Sequence, residues 1–97
     1  MLLVIPAAIQ AEPARFDGFL ELQVATERSR YSRTALHERI VRMIRDASVR
    51  VVDPLAALST RAAAGRPCYL RAGHWNAAGH RIEADLLVPE LADVLRE

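Results

Sequence analysis

Val49-Arg50-Val51-Val52-Asp53-Pro54-Leu55 joins a short β-branched run to a helix start, and this junction sets the fold. Three valines in four residues suit a strand that is buried or half-buried. Asp53 carries a side-chain oxygen able to cap orphan helix N–H groups, and a proline at the first helical position loses only a donor without an intrahelical partner there. The residues predict a strand over 49–52 and a helix over 55–64, released by Gly65 and Pro67.

Upstream, residues 33–47 give the clearest helical pattern. Leu36, Ile40, Met43, Ile44 and Ala47 fall on one stripe, which is expected to face the core. Glu38 and Arg42 form an i,i+4 pair on the opposite side. His37 lies beside the stripe and reads as a boundary residue with no partner. Further back, Leu2-Leu3-Val4-Ile5 is a continuous apolar run closed by Pro6, as in a strand covered on both faces of a parallel sheet. It is too short, and lacks the basic flank, for a signal peptide or a membrane span. A chain that starts inside a buried strand suggests that the domain begins earlier. Residues 7–15 read as a loop or short helical turn. A second helix places Phe16, Phe19, Leu20 and Val24 at helical spacing behind Asp17 as cap, with Gly18 against it, and residues 26–33 form a polar connection.

Strand, helix, strand and helix in that order imply an α/β chain with a parallel pair of strands. Its 97 residues allow one domain, and 52% hydrophobic content supports a packed core. The formal charge of +1, with acidic and basic residues interspersed, argues against strong electrostatic attraction to nucleic acid or membrane. All basic residues apart from histidine are arginine, for which biased base composition of the coding sequence is the plainest account.

Downstream, Cys68-Tyr69-Leu70 reads as a short extended piece. Gly73-His74-Trp75-Asn76-Ala77-Ala78-Gly79-His80 then opens the last helix, with Asn76 as N-cap and His74 left on the entering loop. An imidazole so placed is held by the helix yet free to face a cleft. Trp75 reads as a plug beneath that helix and His80 as a packing residue. Ile82, Leu86, Leu87, Leu91, Val94 and Leu95 are expected to face the core, Glu83 and Asp85 the solvent, and Pro89 to kink or break the helix. Cys68 is the only cysteine, which excludes an internal disulfide, and reads as a small buried thiol. The spacing of Cys68, His74 and His80 fits no compact zinc motif, so no metal is expected.

Val4-Ile5-Pro6 with Gln10, residues 49–58, and residues 69–91 with their Gly-His-Trp-Asn-Ala-Ala-Gly-His-Arg core resemble the C-terminal part of SGNH (GDSL-like) hydrolases. The resemblance implies a partial three-layer α/β/α, flavodoxin-like domain, single but incomplete over 1–97, with at least two parallel strands and a C-terminal helix. It implies ester hydrolysis by a Ser-His-Asp triad, an ester or acylated substrate for the complete domain, and no cofactor. Carried over by position, His74 falls on the catalytic base, and Ala72 stands where the acid belongs. Ser29, Ser32, Ser48 and Ser59 are the only serines, and none lies in a Gly-Asp-Ser context. The oxyanion-hole Gly and Asn blocks have no match either, so the chain by itself is expected to be inactive. A second expectation is a non-catalytic remnant that self-associates through open sheet edges.

Overall fold

The computed structural model describes residues 1–22 and 30–96. Val24 of the expected second helix, Ser29 and part of the polar connection lie outside them. The described elements are β1 (Leu2–Leu3), α1 (Ala8–Ala11), α2 (Pro13–Glu21), α3 (Ala35–Asp46), β2 (Val51–Val52), α4 (Leu55–Ala63) and α5 (Ala77–Arg96).

The two strands pair in parallel, Leu2 opposite Val51 and Leu3 opposite Val52. The Leu2 N–H donates to the Arg50 carbonyl at 2.8 Å and the Val4 N–H to the Val52 carbonyl at 3.1 Å. A parallel pair needs a long crossover, which the stretch from α1 through α3 supplies. The chain is thus mixed α/β with one parallel pair, shorter than the runs over 2–5 and 49–52 suggest. Nor is the first strand covered on both faces: Leu2 is 48% exposed and Ile5 63%.

The main core lies beside the sheet. Ala8 and Ala11 of α1, Leu55 and Leu58 of α4, and Cys68 and Tyr69 form one buried cluster, with Trp75, Ala78 and Ile82 packed against it. The small alanines let α1 approach α4 closely. Ser59 fixes that contact: its hydroxyl donates to the Ala11 carbonyl at 2.9 Å and accepts from Arg33 Nη1 at 3.2 Å, and the same Nη1 donates to the Gln10 carbonyl. Helix α2 begins at Pro13, not behind Asp17. Proline at the first position preorganises the entry, and Asp17 falls inside the helix.

Two faces differ from the sequence expectation. On α3 the apolar stripe points outward, with Leu36 65% and Met43 64% exposed, while His37 and Val41 are buried. The helix meets β2 with the face next to the stripe, because two short strands offer no broad apolar surface for the stripe to cover. On α5 the expected core face is buried unevenly, with Ile82 and Leu87 half-buried and the last turns more open. Leu91 is 39% exposed and Leu95 84%, and the helix continues through Pro89 without a break. The radius of gyration, 15.0 Å, accordingly exceeds the roughly 12–13 Å typical of a compact chain of this length. No helix among the described residues is long and apolar enough to cross a membrane.

Glu83 faces inward rather than to solvent, on the same stripe as Gly79, and both of its carboxylate oxygens are buried without a hydrogen-bond partner among the described residues. Burial pushes its pKa above the ordinary 4.5. The folded state therefore retains a proton that the unfolded chain releases, so stability contributed by this group falls as pH rises through the window above 4.5. Glu83→Gln keeps the shape without the ionisation. Urea unfolding at about pH 4 and about pH 7 should show the wild type losing stability across that interval. The glutamine variant should lose less and, at the higher pH, be more stable by about 1–3 kcal/mol, the usual penalty for an unsatisfied buried group.

Candidate functional site

The loop that enters α5 is a tight hairpin. Tyr69 and Trp75 form an antiparallel bridge, the Leu70 N–H donates to the His74 carbonyl at 2.6 Å and the Gly73 N–H to the Leu70 carbonyl at 2.9 Å. Gly73 turns the chain at φ +91°, a conformation that costs glycine little and other residues much. The expected cap is present: Asn76 Oδ1 accepts the Gly79 N–H at 3.0 Å, and Asn76 Nδ2 donates to the Pro67 carbonyl at 2.8 Å. Arg15 Nη2 donates to the Leu70 carbonyl at 2.8 Å and the Tyr69 carbonyl at 3.2 Å, tying the hairpin to α2.

Gly79 sets how closely α5 approaches the hairpin. A Cβ built there would stand 2.5 Å from the Cys68 carbonyl oxygen and 2.9 Å from Trp75 Cβ. The Cys68 carbonyl also accepts the Asn76 N–H at 2.9 Å, so it is held in place. Within the hairpin the Tyr69 hydroxyl donates to the Pro6 carbonyl at 2.7 Å. Burial raises the Tyr69 pKa, which keeps the phenol a neutral donor.

These contacts enclose a cleft of about 260 Å³ lined by Ile5, Pro6, Tyr69, Gly73, His74, Trp75 and His80. It opens just beyond the carboxyl end of β1, where ligands of open α/β sheets bind. Apolar walls come from Ile5, Pro6 and the indole of Trp75. Trp75 is both plug and wall, since it packs on the buried cluster and lines the cleft. His80 stands against it edge-on, with ring centroids 5.8 Å apart and planes at 88°. His74 is exposed on the cleft rim, as its loop position implies.

The cleft lacks the rest of a triad. Ala72 stands where the acid belongs, no carboxylate lines the cleft, and among the described residues the imidazole has no hydrogen-bond or ion-pair partner. No serine lines the cleft. Ser59 is committed to the α1–α4 contact, Ser32 Oγ accepts the Ala35 N–H at 3.1 Å at the start of α3, and Ser48 turns the chain out of α3 at φ 60°. Cys68 is fully buried and burial pushes its thiol pKa up, which suppresses the thiolate that a nucleophile needs. Among the described residues no group of three or more His, Cys, Asp and Glu side chains could hold a metal ion.

An aspartate–histidine pair exists elsewhere. His37, 2% exposed, places Nε2 2.7 Å from Asp53 Oδ1, and the same oxygen accepts the Leu55 N–H at 3.1 Å. His37 is thus a buried, partnered residue and not a boundary one. Asp53 does cap α4, with the proline falling just before the helix, and also locks α3 to the β2–α4 junction. The cap was visible in the Asp-Pro sequence. The pairing was not, because sixteen residues and a helix separate the partners in the chain. Neither residue lines the His74 cleft.

A scan against protein-family models finds no match for this chain, and searches of curated proteins and of solved structures find no significant one. The fold and cleft therefore define a class only: a mixed α/β chain with a histidine-rimmed, partly apolar cleft just beyond the carboxyl end of β1.

Proposed function

We propose that this chain is the histidine-bearing portion of an SGNH-type ester hydrolase domain, with His74 as the general base. The observation that carries the reading is the position of His74: on a hairpin braced by Asn76 and Arg15, at the rim of a partly apolar cleft beyond β1. A base there would take the proton from a serine hydroxyl and return it to the alcohol leaving group. Ile5 and Trp75 would receive the acyl chain. The serine, the acid and the oxyanion donors would come from the remainder of the domain, along with strands completing a three-layer α/β/α arrangement.

Hydrolysis of p-nitrophenyl acetate tests the division of labour. The purified chain is expected to give no saturable turnover, and His74→Ala to leave the observed rate unchanged. Saturable turnover abolished by His74→Ala would overturn the claim that the nucleophile lies outside this chain.

A second reading, a non-catalytic self-association module, draws support from the open strand pair. Leu2 and Ile5 are exposed and the pair has neighbours on only one edge of each strand among the described residues. Such edges recruit further strands. Ala72 in place of an acid fits this reading as well as it fits the first.

A further inference from the structure

The outer face of α3 presents Leu36, Ile40 and Met43, exposed to 65%, 41% and 64%, with exposed Ala47 one residue past the helix end. These four positions are separated by steps of four, three and four residues. That alternation is the apolar seam of two helices packed along their length. Arg39 and Asp46 flank the seam on one side, two turns apart. Both are exposed, and neither side chain makes a hydrogen bond or ion pair with another described residue.

We infer that α3 is a dimerisation surface, joining two copies of this chain as an antiparallel helix pair about a two-fold axis. The axis would set Leu36 against Ala47 of the second copy and Ile40 against its Met43. Arg39 of each copy would then face Asp46 of the other, forming the same ion pair twice. The midpoint of 36 and 47 and the midpoint of 39 and 46 differ by one residue, about 1.5 Å of helix rise, so one axis serves both sets. A parallel pair would put Arg39 beside Ile44 of the second copy and leave both charges without partners. The contact is self-complementary, as an isologous interface must be. A seam this short buries well under the roughly 1,600 Å² of a standard stable interface, so the dimer is a weak, concentration-dependent one. The inference is independent of the ester-hydrolase reading, and it uses a different surface from strand-edge pairing.

Sedimentation velocity over a concentration series tests it. The wild-type chain is expected to shift from monomer to dimer, and Ile40→Glu to remain monomeric with an unchanged far-UV circular dichroism spectrum. Arg39→Asp and Asp46→Arg should each weaken the dimer by roughly tenfold, because each sets like charges face to face, and the double variant should restore it. These two positions are exposed, so the charge swap remains decisive even if Ile40→Glu folds poorly. A wild type that stays monomeric throughout would overturn the inference. So would a dimer of undiminished affinity in folded Ile40→Glu, which would point to the strand edges, or a folded double variant that binds no tighter than either single one.

Discussion

Gly79→Ala is expected to destabilise the chain by about 3 kcal/mol, even though alanine is the better helix former by about 1 kcal/mol. The new methyl carbon would sit 2.5 Å from the Cys68 carbonyl oxygen and 2.9 Å from Trp75 Cβ. Neither neighbour is the free end of a flexible side chain. The carbonyl is bonded to the Asn76 N–H, and the Trp75 Cβ is fixed by the Tyr69–Trp75 bridge. Relief therefore requires α5 to lift from the hairpin, which would open the His74 cleft along with the core beneath it. Because Trp75 is the only tryptophan, its fluorescence reports the change directly. A red-shifted emission and a lower urea midpoint are the expected results. Gly18→Ala supplies the control, since a Cβ there meets nothing within 4 Å, and it should be neutral or slightly stabilising. Equal effects at the two glycines would mean that the close approach of α5 to Cys68 is not what Gly79 provides.

Asp53→Ala is the second substitution with a large expected effect, about 2–4 kcal/mol of lost stability. It removes a helix cap, typically worth about 1 kcal/mol, and leaves the buried His37 ring without its acceptor, a further cost of about 1–3 kcal/mol. Asp53→Asn retains an oxygen for both the Leu55 N–H and His37 Nε2, so it should keep most of that stability. The contrast between the two variants in urea denaturation separates the dual role from a simple surface charge. If alanine and asparagine proved equally mild, His37 would not depend on Asp53 for its burial.

Much of the secondary structure was legible because each element is marked locally. The Asp53-Pro54 step, the Asn76 cap and the β-branched residues of 49–52 act through neighbours in the chain: the Asn76 cap appears where it was expected, Asp53 caps α4 from one residue further back because Pro54 precedes the helix, and the strand is confined to Val51–Val52. The two faces that differed depend on what the elements pack against. The stripe of Leu36, Ile40 and Met43 obeys helical periodicity, but periodicity cannot tell that His37 would be drawn inward by Asp53 while the stripe stays bare. Glu83 is the same lesson in reverse. A charged residue on a helix next to Gly79 reads as solvent-facing, yet the close helix approach that the glycine permits turns that stripe inward. At the candidate site, His74, its hairpin and its cap were readable. The participation of Tyr69 and Pro6 in the cleft was not, since their hydrogen bond spans 63 residues.

His74 and its hairpin are proposed to form an ester-binding cleft. Nuclear magnetic resonance of the histidine rings and the single indole, during titration with methyl butyrate, tests it most directly. Saturable shifts are predicted for His74, His80 and Trp75, which share the cleft wall, with the His37 ring unmoved as an internal reference. A His74 ring that stays unshifted to the solubility limit of the ester, or a shift of His37 of equal size, would contradict the account.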